Sequence, residues 1–333
     1  MATRRQRQAV WVGGTPWRKP PPPTPADGPD PYGEPDPEWL HIDWGPHLHD
    51  VQLDTSGLQP HPGSSADPAR TTVCYAELGE GPPLLLIHGL GGCWETWLEN
   101  IPHLARRWRV IAPDLPGFGD SRMPGWEISI QSYGALITEL CRALGIDSAP
   151  LVGNSMGGFV AAELTVSEPL LVEKLVLVSA AGVSHARMRR EPAEAAGRMA
   201  RAATPLLLRG HQRAFRRPRL RNRMLRHVAH RPSRLRPELV WEIAKGGLNA
   251  PGIVAAIRGL AGYDILDRLE DVEIPALIVW GRNDLIVPLR DAYEYARLVR
   301  NSELVVFDDC GHIPMAERPV RFNRLLDRFL AQA

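Results

Sequence analysis

The sequence predicts an α/β fold built on a parallel sheet covered on both faces. Three observations carry that prediction: short apolar runs recur, helical segments separate them, and one long interval carries no strand signal. The runs are PLLLIHG (83–89), RVIAPDL (109–115), PLVGNS (150–155), KLVLVSAAG (174–182), ALIVWG (276–281) and ELVVFDD (303–309). Their centres are β-branched residues or leucine, and most are soon followed by glycine or aspartate. Continuous apolar runs, unlike alternating ones, mark strands buried on both faces. Strands that alternate with helices build a parallel sheet.

The elements follow in chain order. Residues 16–37, PWRKPPPPTPADGPDPYGEPDP, are dominated by proline, which lacks a backbone donor and fixes φ. Residues 1–36 are therefore expected to be a disordered, partly polyproline tail, dispensable for chemistry and stability. Trp39 and Trp44 mark the entry into the folded body. The segment 129–146 reads as a helix. So does 318–332, with Phe322, Leu325, Leu326, Phe329 and Leu330 on one face. Between Gly182 and Ala276 more than 90 residues carry no strand signal. Leu206–Leu208, Leu225, Leu239–Ile243 and Ile253–Leu260 look helical there. The interval 184–262 is read as a helical insertion, leaving 37–183 and 263–333 as the core. Connections in such folds are usually far shorter.

Composition excludes several classes. The content of 44% hydrophobic residues suffices for a sizeable core, and 39 basic against 38 acidic residues point to no partner. Cys74, Cys93, Cys141 and Cys310 are scattered without a C-x-x-C pair, which argues against a zinc site or a disulfide framework. No apolar run approaches the ~18 residues of a membrane span. The apolar part of the N-terminus is only AVWV, too short for a signal peptide. A soluble, cytoplasmic protein is expected.

Ligands of an open parallel sheet bind beyond the carboxyl ends of its strands. Four features lie there. Gly153-Asn154-Ser155-Met156-Gly157 matches G-x-S-x-G between a strand and a helix. Such a sharp turn lifts the serine hydroxyl above the sheet, and its crowded flanks demand glycine. His88-Gly89-Leu90-Gly91-Gly92 follows PLLLI and frees backbone N–H groups. The N–H groups of Leu90 and Met156 are assigned as an oxyanion hole. Asp284, in GRNDLIVP, and His312, in GHIPMAERP, lie beyond the last two runs. The order Ser155, Asp284, His312 is the one that the nucleophile-elbow mechanism requires. A serine hydroxyl needs a base, which His312 supplies, and Asp284 orients the imidazole. Asp308 and Asp309 are alternative acids, ranked lower because they lie at a strand end. No cofactor or metal site is read, and the substrate-binding residues have no motif.

These motifs, with PDLPGFGDS (113–121), occur in the order found in the α/β-hydrolase family, which the chain resembles over residues 71–333. The resemblance implies a mostly parallel eight-stranded sheet with a helical cap inserted after the sixth strand. PDLPGFGDS is taken as a turn shaping the site wall, with Asp114 and Asp120 bonding local backbone. Serine at the elbow implies acyl transfer to water rather than the alkyl-enzyme route of epoxide hydrolases and haloalkane dehalogenases. A carboxylic ester, acylglycerol or lactone is the favoured substrate class. A hydrolase of C–C bonds in aromatic ring-cleavage products is the alternative, since GNSMGG is similar to that group's elbow. That group tends to carry a longer oxyanion loop, and tryptophan where this chain has Ile313. A non-catalytic ligand receptor is a further alternative.

Charge is unevenly placed. Between His185 and Arg236 stand sixteen arginines against Glu191 and Glu194. A solvated face is the simple reading. The functional one is weak contact with an anionic lipid surface, with Phe215, Leu220, Met224 and Leu225 inserting beside the site entrance. No nucleic-acid partner is expected.

Overall fold

One eight-stranded sheet organises the protein, in the spatial order β1-β2-β4-β3-β5-β6-β7-β8. Its strands are β1 (Leu48–Asp54), β2 (Arg70–Leu78), β3 (Pro83–Ile87), β4 (Arg109–Pro113), β5 (Ala149–Asn154), β6 (Val172–Val178), β7 (Ala276–Gly281) and β8 (Ser302–Phe307). β1 and β2 pair antiparallel, as do β2 and β4, and every other pair is parallel. The computed structural model describes residues 30–185, 215–248 and 250–332.

The six apolar runs are β3 to β8. Successive side chains of a strand point to opposite faces. Leu85, Ile87, Leu151, Leu177 and Ile278 enter one hydrophobic core, and Leu84, Leu86, Val152, Val178 and Val279 enter the other. Both faces are dry, so the central strands are apolar throughout. Ser129 caps the helix Ile130–Ala143, accepting from the Ser132 N–H at 3.0 Å. That helix buries Tyr133, Leu136, Ile137 and Leu140 in the first core, and the C-terminal helix Pro319–Leu330 buries Phe322, Leu326 and Phe329 in the second.

Between β6 and β7 the described residues form the helices Pro218–Leu225, Pro237–Leu248 and Ile253–Leu260. Leu206–Leu208, Glu191 and Glu194 lie outside the described residues. At its base the insertion is pinned by a hydrogen bond from the Gly262 N–H to the His185 carbonyl, 3.0 Å. The apolar residues expected to enter lipid turn inward instead. Phe215 is fully buried against Trp241, Leu225 lines an internal cavity, Met224 packs on the second core, and Leu220 is half-buried. Hydrophobic burial within the insertion takes these side chains, and its exposed face keeps arginines. Arg221 is an exception, buried with its guanidinium donating to the carbonyls of Phe215, Pro232 and Ser233.

Residues 1–29 of the expected tail lie outside the described residues. Residues 30–36, the rest of that segment, touch the body. The Tyr32 hydroxyl donates to the Asp309 carbonyl, and the Arg318 guanidinium lies 4.0 Å from the Tyr32 ring centroid. Arg318 also donates to the Asp30 carbonyl at 2.8 Å. An aromatic ring with a free hydroxyl gains from a buried cation and an acceptor, which prolines alone would not supply. Tyr32→Ala is expected to lower unfolding stability by about 1–2 kcal/mol in urea titrations. An unchanged midpoint would show that this contact is energetically idle.

Candidate active site

Ser155 sits between β5 and the helix Met156–Ser167 with φ 54° and ψ −118°, a conformation rare for a residue with a side chain. The turn is so tight that a Cβ on Gly153 would lie 2.3 Å from the Gly157 carbonyl oxygen. One on Gly157 would lie 2.2 Å from that of Ile87. The backbone at Ser155 is fully bonded: its N–H donates to Val178, and its carbonyl accepts from Phe159 and Ala181. Asn154 ties the turn to its surroundings, its Nδ2 donating to the carbonyls of Val178 and His312 at 3.1 and 3.2 Å.

The glycine-rich turn after β3 packs directly on the serine. A Cβ on Gly89 would lie 2.9 Å from the Ser155 Cβ. Among the described residues no protein acceptor takes the N–H of Leu90 or of Met156. His88 holds this turn. Its Nε2 accepts from the Leu115 N–H at 2.9 Å, so its Nδ1 carries the proton and donates to the Gly89 carbonyl at 2.7 Å. Burial pushes the imidazole down to about 4, keeping it neutral. Asp114, in the PDLPGFGDS turn, accepts from the N–H groups of Trp94 and Asp120 at 2.7 and 2.8 Å. It thereby binds two loops of the site wall together. Burial pushes its carboxyl up to about 8 against the pull of those donors.

His312 and Asp284 meet. His312 Nδ1 lies 2.8 Å from Asp284 Oδ2, with the Asp284 side chain fully buried. The other carboxylate oxygen of Asp284 accepts from the N–H groups of Ile286 and Val287. Neither alternative acid reaches this imidazole: Asp308 pairs with Arg282, and Asp309 with His230, Arg231 and Arg318. The His312 loop is also stitched to the insertion. The His312 N–H donates to Val228, and Glu317 accepts from Gly311 and His230, all at 2.8–2.9 Å. Burial pushes Glu317 up to about 7.

Ser155 and His312 open onto one cavity of about 430 Å³, and in this arrangement no hydrogen bond joins them among the described residues. Leu90 lies in its wall, and Asn154, Thr96 and His185 supply its other polar side chains. The insertion contributes Leu225, Val228, Leu235, Val240, Ile243 and Leu260. No lysine or arginine is among the described lining residues. His88, Asn154, Glu317 and His185 were not singled out from the sequence. The first three stand inside motifs already quoted, whereas His185 has no local signal.

The model of the alpha/beta hydrolase fold matches residues 82–319. The chain belongs to the α/β-hydrolase fold family. Within it, the chain is 30% identical to 2-hydroxy-6-oxo-2,4-heptadienoate hydrolase of Pseudomonas putida, over 77% of this chain and 91% of that protein. It is 34% identical to 2-hydroxymuconate semialdehyde hydrolase of a Pseudomonas species, over 77% and 89%. Its structure is similar to that of a thermophilic esterase from Thermogutta terrifontis, with a TM-score of 0.68 and 27% identity over 85% of this chain and 98% of the esterase. The proteins it resembles thus include one named an esterase and others named as hydrolases of a dienoate and of a semialdehyde.

The neutral His88 makes stability depend on pH. Its ordinary value is 6.5 and its folded value about 4, so between these the unfolded chain binds a proton that the folded chain refuses. Stability is fully present above about pH 6.5 and falls as pH drops toward 4, by on the order of 2–3 kcal/mol from this residue. Urea titrations at pH 7 and 4.5 should show a smaller loss for His88→Gln than for the unaltered chain. Equal losses would show that His88 does not carry the effect.

Proposed function

We propose that this α/β-hydrolase cleaves uncharged carboxylic esters through an acyl-enzyme. His312 takes the proton of Ser155 as the hydroxyl attacks the ester carbonyl, and Asp284 holds the imidazole and offsets its positive charge. The N–H groups of Leu90 and Met156 bind the oxyanion. His312 then returns the proton to the departing alkoxide. A water molecule, deprotonated in turn by His312, releases the acid. The observation that carries the substrate class is the cavity wall, which among the described residues is mostly apolar and holds no lysine or arginine. Among the described lining residues a buried substrate carboxylate would find no cationic partner, at a cost of several kcal/mol.

The second reading is C–C bond hydrolysis, favoured by the 30–34% identity to the two Pseudomonas hydrolases. The two separate in one experiment. A series of p-nitrophenyl acyl esters and a 2-hydroxy-6-oxo-dienoate are assayed side by side. The ester reading expects kcat/KM on the best ester to exceed that on the dienoate by at least about 100-fold, and the reverse order would overturn it. Ser155→Ala should lose roughly four to six orders of magnitude in kcat and its labelling by a fluorophosphonate. Labelling that persists would point to another nucleophile.

We also carry the basic face as a proposal, now as electrostatic contact alone. Arg216, Arg217, Arg219 and Arg223 are exposed and form no ion pair among the described residues. Each basic residue at an anionic membrane contributes about 1 kcal/mol, which salt screens. The protein should sediment with phosphatidylserine vesicles at low salt and release by ~0.3 M salt. Equal sedimentation with neutral vesicles would make this face ordinary surface.

A further inference from the structure

The proline-rich segment ahead of the sheet lies across the seam between the core and the insertion. It is anchored at both ends. The Asp30 carboxylate lies 3.8 Å from Arg318 and 3.6 Å from Arg321. Trp39 is buried in the second core, and Glu38 beside it pairs with Arg106 at 2.9 Å. Between these anchors Tyr32 touches both sides of the seam. On the core side stand the Asp309 carbonyl and the Arg318 guanidinium. On the insertion side the Arg234 guanidinium lies 5.5 Å from the ring centroid. Gly33, at φ 87°, turns the chain beyond the ring, and the carbonyls of Glu34 and Pro35 then accept from Arg236. Asp309 adds a further tie, its carboxylate reaching Arg318 at 3.1 Å and Arg231 of the insertion at 2.6 Å.

We infer that residues 30–36 are a strap that holds residues 231–236 of the insertion against the core, and that by fixing Leu235 the strap limits the size of the acyl group the cavity admits. The size limit rests on the ester-hydrolase reading, whereas the strap does not. Leu235 is buried and lines the cavity. Its backbone is extended, with φ −66° and ψ 147°. Successive side chains of extended backbone point to opposite sides. Leu235 therefore points inward, and Arg234 and Arg236 point outward, where the strap meets them. Leu235 cannot retreat from the cavity while the arginines on either side of it are held at the surface. Arg221 braces the same segment from within the insertion, through the carbonyls of Pro232 and Ser233, and the strap adds a link to the core. Surface cation–π contacts and exposed hydrogen bonds are individually weak. The strap thus restrains the wall without locking it, and its release loosens the cavity rather than unfolding the protein. Tyr32 and Arg236 are positioning residues here, remote from the reacting atoms.

The test measures kcat/KM for p-nitrophenyl butyrate and p-nitrophenyl decanoate on the full chain and takes their ratio, which a loss of folded enzyme does not alter. In Tyr32→Ala, and separately in Arg236→Ala, the decanoate-to-butyrate ratio should rise by more than about 3-fold, the scale of one surface cation–π contact. A smaller rise, no change or a fall in either variant would overturn the size limit while the ester reading stands. If no ester is hydrolysed, the ester reading fails by itself, and hydrogen exchange then decides on the strap. Amides of residues 228–236 should exchange faster in Tyr32→Ala, while those of β7 keep their rate. Equal exchange over 228–236, or the same acceleration in both segments, overturns the strap.

Discussion

The strained backbone at Ser155 is the constraint around which the core is arranged. A residue with a side chain held at φ 54° costs about 1–3 kcal/mol, so its surroundings must over-determine it. They do so in three ways. Three backbone hydrogen bonds fasten the residue to β6, to the loop beyond it and to the following helix. Gly153 and Gly157 remove the side chains that would collide with neighbouring carbonyls. Gly89 brings the turn after β3 to within van der Waals range of the serine. Release of any one of these would let the turn relax, and the hydroxyl would leave the cavity.

The rest of the site is assembled from the ends of separate strands by buried groups, of which Asn154 also lines the cavity. His88 joins the turn after β3 to the loop after β4, and Asp114 joins that loop to Trp94. Asn154 joins the serine turn to the backbone of His312. Glu317 joins the His312 loop to His230 in the insertion. Each uses a local hydrogen bond in a dry setting, where such bonds hold position well. The apolar wall of the cavity is thereby fixed relative to the serine and the imidazole, although its residues come from a different part of the chain.

Much of this was legible in the sequence. The central strands declare themselves because both faces are buried, which forces unbroken apolar runs. The motif residues 153–157, 88–92, 284 and 312 fall at strand ends, where the sheet topology gathers them. β1 and β2 were not among the runs: they pair antiparallel at one side of the sheet and keep exposed polar residues such as His49, Asp50 and Thr72. The segment 30–36 looked inert because proline dominates it, yet Tyr32 and Asp30 both meet Arg318. Asp309 looked close to His312 in sequence, but a positive φ of 51° and contacts with the His230 imidazole and the guanidinium groups of Arg231 and Arg318 commit it elsewhere.

The bond between Gly262 and His185 has a consequence for how such a chain can change. It brings the two ends of a long insertion together at one point of the core. The entropy cost of closing a flexible loop rises only with the logarithm of its length, about 0.6 kcal/mol per doubling. An insertion that leaves and re-enters at a clamped neck can therefore lengthen, shorten or be replaced at little cost to the sheet beneath it. Six named cavity-wall residues, Leu225 through Leu260, reside in that exchangeable part, while the serine, the imidazole and the carboxylate reside below the neck. The proposed chemistry and the substrate fit are thus held on separate sides of a single clamp, free to evolve at different speeds.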